Sequence, residues 1–252
     1  MKIILQISFL ILVVTGILLA SDNAYPLEKN SRQMGIFQPR IYGVSNNIEI
    51  STHPILFFIK PNIRVKKYHD EFMGFGLASR YGFDYPTLLL KLIQREGKYG
   101  ILSKDPDIKE ISNLFVFHGE LLATKIFENS HITGKLGMST CLGCELDSRH
   151  LFDYDLAYPR MALYHYGIGS NIGLDYDYVH SEKISLKADI DLLFIPQERT
   201  FIEHKFLFHY SLSSKYTLSG GYKFSYGYYP FSKEKGLWNL FPLIDLSWKW
   251  EK

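Results

Sequence analysis

The chain has 252 residues, with 28 Lys+Arg against 26 Asp+Glu. A formal net charge of +2 leaves no basic footprint for nucleic acid and no acidic tail. Aromatics reach 15%, with 18 Tyr and 18 Phe. These residues favour strands and also sit where apolar and aqueous phases meet.

The first segment is MKIILQISFLILVVTGILLASDNA. Lys2 precedes an apolar run from Ile3 to Ala20, and small residues follow. This is the pattern of a secretory signal peptide over residues 1–20. An uncleaved membrane helix is the other reading of a run this long. Residues 21–53 show few long patterns and read as an exposed N-terminal segment, with a short strand near Ile48–Ser51.

From Pro54 onward the chain alternates. The first strand is placed at Ile55–Tyr68, its apolar parity carrying Ile63 and Val65 against Lys60, Arg64 and Lys66. Phe72–Tyr81 and Thr87–Arg95 follow, with Arg80 and Lys91 on their polar parities. Next come Leu114–Phe127, with His118 and Glu120, and His131–Thr140, with Lys135. Tyr166–Tyr178 is two-faced throughout: Ile168, Ile172, Leu174 and Tyr176 oppose Gly169, Gly173, Asp175 and Asp177. Lys183–Phe194 sets Asp189 and Asp191 against leucine and isoleucine. Phe201–Leu212 carries Glu203, Lys205 and His209, and Tyr216–Tyr228 carries Lys223. Phe241–Trp250 carries Asp245.

These make about ten strands, most long enough for a tilted membrane crossing, which takes about 9–11 residues. Ordinary globular strands average about 5–6. Short and long connections tend to alternate, as in single-chain membrane barrels. The fold class expected is all-β: a closed antiparallel up-and-down transmembrane barrel over residues 54–250. A secreted β-sandwich is the competing reading, with the same alternation turned apolar face inward. Pro61 and Pro242 fit a barrel only where no ladder bond is required of them.

The chain closes on LIDLSWKWEK, in which Ile244, Leu246, Trp248 and Trp250 occupy alternate positions. In this the sequence resembles bacterial outer-membrane β-barrel proteins, whose last strand ends in an aromatic preceded by alternating apolar residues. Glu251 and Lys252 after the aromatic depart from that pattern. The resemblance implies a Gram-negative outer-membrane location, a periplasmic place for residues 21–53, and two partners: outer-membrane lipid and the barrel assembly machinery.

The lumen-facing set expected from parity is Lys60, Arg64, Arg80, Lys91, Glu120, Lys135, Asp175, Asp189, Asp191, Lys205, His209, Lys223 and Asp245. It serves either as pore lining or as a salt-bridged filling, since narrow barrels are packed by their own side chains. Cys141 and Cys144 form the only C-x-x-C, read as a disulfide in an oxidising compartment, with metal and redox roles as weaker alternatives. No catalytic, cofactor-binding or metal-ligating residue is assigned. His209 with Ser211, and His118 with Glu120, share polar faces without a recognised catalytic pattern. The function expected is a structural, surface-interaction or narrow-pore role. A barrel enzyme acting on lipid or peptide and a soluble binding protein are the alternatives.

Overall fold

The computed structural model describes residues 23–93, 110–144, 160, 162–196, 200–228 and 236–250. The segment read as a signal peptide lies outside them. Twelve strands run in chain order: β1 (Arg32–Gly35), β2 (Arg40–Ser45), β3 (Ile48–Thr52), β4 (Asn62–Phe72), β5 (Phe75–Asp84), β6 (Phe115–Ile126), β7 (Ser130–Leu142), β8 (Ile168–Val179), β9 (Ile184–Phe194), β10 (Phe201–Ser211), β11 (Tyr216–Tyr228) and β12 (Gly236–Trp250). Each pairs antiparallel with its sequence neighbours, and β1 closes the barrel on β12 through Arg32–Trp250 and Gly35–Ser247.

The count is twelve and not about ten, and the barrel begins at residue 32 and not at 54. β1 and β2 are four and six residues long, too short for a conspicuous alternating run, and β3 is the short strand expected near Ile48–Ser51, here part of the barrel wall. Over its described residues, 87–93, the segment expected as a strand at Thr87–Arg95 is not one. Thr87–Ile93 forms a helix, α2. Pro86, Leu89 and Leu90 are buried while Leu88 and Leu92 are exposed, which is the i, i+3, i+4 spacing of a helix face. Leucine favours helices, and proline suits a helix start. Pro54–Phe57 forms one helical turn, α1, whose first turn is capped by the His53 ring accepting the Leu56 N–H at 3.3 Å. Pro61 therefore precedes β4, where its missing N–H is not required and its carbonyl accepts the Tyr85 N–H at 2.8 Å. A further turn, α3 (Leu163–Tyr166), ends at Gly167 with φ +77°. Tyr166 packs against the apolar cluster below that turn; it is not the lipid-side tip of a strand.

These corrections regularise the connections. One end of the barrel carries only short turns, at 46–47, 73–74, 127–129, 180–183 and 212–215. The opposite end carries 36–39, 53–61, 85–114, 143–167, 195–200 and 229–235. The turn at 73–74 is tight because Met73 and Gly74 both take positive φ, the geometry matched to a twisted hairpin.

The sheet has its charges inside and its grease outside. Leu121, Leu136 and Ile172 lie side by side across β6, β7 and β8 and are all exposed, two of them near 60%. On the other face Lys66, Lys135, Asp175, Glu203 and Lys223 are buried. A sandwich would bury the first set, so the sandwich reading is excluded. Aromatics ring both ends. Tyr176, Tyr178, Tyr216, Trp248 and Trp250 lie towards the short turns, and Phe115, Phe194, Tyr226 and Tyr228 towards the long connections. Tyr81, opposite Gly119, lies in the half nearer the long connections.

Candidate functional site

The candidate site is the barrel lumen, which is filled in layers. Beneath the long connections lies an apolar cap of Leu90, Ile111, Leu114, Val116, Cys141, Leu163, Tyr164, Leu193, Ile195 and Phe201. α2 and α3 contribute to it from the connections, and the inward positions at the ends of β6, β7, β9 and β10 meet them. Cys141 and Cys144 are joined as a disulfide at this level, with Cα atoms 5.6 Å apart.

Below the cap stand two charged clusters. In the first, Asp84 at the end of β5 accepts both Arg64 nitrogens at 2.8 and 3.0 Å and lies 3.4 Å from Lys60 Nζ. Burial alone would push the Lys60 ammonium down, but Asp84 beside it holds it above its ordinary value. His118 Nε2 meets Asp84 at 3.1 Å, and His118 Nδ1 meets Ser139 Oγ at 2.7 Å on the paired strand. Tyr164 reaches down from α3 into this cluster, and its burial raises its hydroxyl above the usual value. In the second cluster Glu203 holds Lys223 at 2.7 Å and Arg160 at 2.6 Å. Glu203 keeps the Arg160 guanidinium above even its ordinary high value.

Midway, Lys135 bridges Asp175 and Asp191 at 2.7 and 2.8 Å. Arg80 pairs with Glu120, whose other oxygen accepts the Asn171 amide at 3.2 Å. Lys205 meets Asp189 at 2.8 Å. Towards the short turns, Asp177 lies between His131 and Lys187 at 2.8 and 3.4 Å. His209 Nδ1 meets Ser219 Oγ at 2.6 Å. Asp245 accepts the Phe37 N–H at 2.9 Å. A cavity of about 200 Å³, lined by Asp177, Lys187, Asp189, Lys205 and His209 among others, occupies the β8–β12 side. It shares Gln33, Ser211, Thr217 and Ser247 with a second cavity of about 430 Å³ at the short-turn rim.

Every residue of the expected lumen set faces inward except Lys91, which sits on the exposed side of α2. The imidazole partners differ from the intrastrand pairs expected. His209 meets Ser219 and not Ser211, and His118 meets Ser139 and not Glu120, because the bonds run across the ladder. Asp84, Arg160 and Glu49 carry ion pairs that sequence reasoning missed. Asp84 had fallen in an assumed turn, Arg160 lies in a connection, and Glu49 lies in a five-residue strand. Its alternation with Ile48 and Ile50 was the one available signal. Ser139, His118 and Asp84 stand in the order of a nucleophile, a base and its orienting acid, although Asp84 also holds two cations. Among the described residues no group of three or more His, Cys, Asp or Glu is arranged to hold a metal.

No family model matches the chain, and no curated protein does. Among solved structures, it is similar to a loop L8 deletion mutant of OmpT, an outer membrane protein of Vibrio cholerae. The two share 9% identity and a TM-score of 0.46, over 84% of this chain and 62% of that one. It is also similar to Acinetobacter baumannii OccAB2, at 9% identity and TM-score 0.40, over 90% of this chain and 57% of that one. For the CymD monoaromatic hydrocarbon channel the values are 8% and 0.38, over 87% and 51%. The chain thus spans only about half to two thirds of the length of these proteins. Likenesses of this depth assign no residue a role.

Proposed function

We propose that this chain is an integral outer-membrane barrel that does not conduct solute and acts through the surface it presents at its long-connection end. The exposed apolar belt between two aromatic rings suits lipid, and among the described residues no helix is long and apolar enough to cross a membrane. The belt assigns the crossing to the strands. Outward Ile244, Leu246, Trp248 and Trp250 on β12 supply what the assembly machinery reads. The observation that carries the non-conducting reading is the filled lumen. Its acidic side chains are met by cations or amide donors, and an apolar cap lies above them. An ion path must stay wet, and an apolar constriction closes it by dewetting. The test combines heat-modifiable migration of the outer-membrane fraction with planar-bilayer recording. A faster unboiled band and a silent bilayer are expected; steady conductance by the wild-type chain would defeat the reading.

The Ser139–His118–Asp84 chain supports a second reading, an esterase acting on an apolar acyl group. Val116 and Cys141, one inward position nearer the cap on the same two strands, are apolar. Covalent labelling by a fluorophosphonate that disappears in Ser139→Ala would support it. Absence of labelling in the folded wild-type barrel removes it.

A further inference from the structure

Residues 23–27 do not lie outside the barrel. They enter the lumen on the β2–β6 side of its short-turn half, opposite the cavity. The wall grips their main chain. Lys66 Nζ donates to the carbonyl oxygens of Asn23 and Tyr25 at 3.1 and 3.0 Å. Thr124 Oγ1 accepts the Ala24 N–H at 2.8 Å, and the Glu49 carboxylate accepts the Leu27 N–H at 2.8 Å. Lys66 and Glu49 are themselves an ion pair at 3.1 Å, so one buried pair offers a donor and an acceptor to one peptide backbone. The Tyr25 N–H bonds to the Asn23 side chain at 3.1 Å, and Pro26 has none to satisfy. Every amide hydrogen from 24 to 27 is therefore accounted for, as a buried backbone requires.

Two glycines make the seat. A Cβ at Gly43 would stand 2.1 Å from the Glu28 carbonyl oxygen, and one at Gly76 would stand 2.5 Å from the Tyr25 hydroxyl. Only two side chains of the segment are read closely. Ala24 is fully buried against Ala78 and Leu122, and Tyr25 stacks on Tyr68 with centroids 5.4 Å apart. Pro26 holds Tyr25 extended.

We infer that the β2–β6 wall is a binding site for an extended peptide backbone, and that residues 23–28 are its resident ligand. The site selects a small residue followed by a tyrosine, whose hydroxyl Glu71 meets, and is otherwise indifferent to sequence, because its remaining polar contacts go to main-chain atoms. A peptide of that chemistry arriving from the short-turn side competes with the resident segment. The inference rests on lumen contacts and not on the lipid setting. Recovery of the chain in a soluble fraction would defeat the membrane reading and leave the peptide site to its own assay.

The experiment uses the full chain, with heat-modifiable migration confirming that each variant folds. Ala24→Arg overfills the slot of the resident segment and leaves the wall intact. A fluorescent peptide of residues 23–30 is expected to bind this variant saturably. It should bind the wild type, and Ala24→Arg combined with Gly43→Val, at least about tenfold more weakly, because the seat is filled or blocked. Equal binding to all three, or to none, overturns the inference. If Ala24→Arg does not fold, Ala24→Cys in the otherwise unchanged chain decides. Its thiol should react with a maleimide at least about tenfold more slowly than when Gly43→Val is added, since a seated residue reacts only through local opening. Equal rates overturn the seat.

Discussion

Lys223 and Glu203 face each other across β10 and β11, Nζ to Oε1 at 2.7 Å, and each side chain is only 3% exposed. An ion pair so enclosed is sensitive to which partner is lost. Glu203 also holds Arg160, so Glu203→Gln takes the carboxylate from two cations and leaves Arg160 only Asp191 at 3.8 Å, whereas Lys223→Met leaves the carboxylate one partner. Glu203→Gln is expected to lower unfolding stability by about 3–5 kcal/mol, the range for breaking a buried pair, and Lys223→Met by less. Trp238, Trp248 and Trp250 all lie on β12, so tryptophan fluorescence in urea reads both. Equal losses would show that Arg160 does not share the carboxylate.

His53 gives the barrel a pH dependence at its long-connection end. Burial holds its imidazole below the ordinary value, near 6.5. Its Nδ1 accepts the Leu56 N–H, a role that a proton on that nitrogen would abolish. A group with a depressed folded pKa contributes stability that is present above the unfolded pKa. That stability is lost as pH falls through the lower folded value. The midpoint of heat-modified migration should therefore drop below about pH 6.5. His53→Asn keeps a capping acceptor without titrating and should flatten that part of the profile. An unchanged profile would move the acid sensitivity elsewhere.

The α2 run separates two readings of one sequence. As a strand, Leu88, Leu90 and Leu92 would share one face and respond alike to truncation. As a helix, Leu90 alone of the three enters the cap, while Leu88 and Leu92 stay exposed. Leu90→Ala is expected to cost about 2–5 kcal/mol, and Leu92→Ala well under 1 kcal/mol, as for surface positions. Urea midpoints for the two variants settle it; similar losses would return the segment to a strand.

This contrast marks how far the sequence carries. Which residues face in and which face out follows from parity, because a strand repeats every two residues. The wall from β4 to β12 was legible in that way apart from the segments around α1 and α2. A run of leucines satisfies both periods, so Thr87–Ile93 was not legible without its packing, although Pro86 before it and Pro54 at the start of α1 were available hints. β1 and β2, of four and six residues, gave too few alternations. The ion pairs depended on register. Lys135 and Asp191 meet only because β8 lies between them and sets both at one height. The seated N-terminal segment left only Gly43 and Gly76 as traces, and a glycine does not announce what lies above it.

The outward face offers the most direct test of what surrounds the barrel. Leu136 sits between Leu121 and Ile172 in the middle of the wall and is 58% exposed. In water, an exposed leucine replaced by arginine changes stability by no more than about 0.5 kcal/mol. At the midplane of a bilayer the same change costs about 2–4 kcal/mol, falling towards zero near the interfaces. Leu136→Arg should therefore destabilise the folded barrel in lipid vesicles by that larger amount, read from reversible urea unfolding. Ile168→Arg, on the same outward face but at the long-connection end of β8, should have a much smaller effect. A depth-dependent pair of losses is what lipid produces. Two equally small losses would place this apolar belt in water or against another protein.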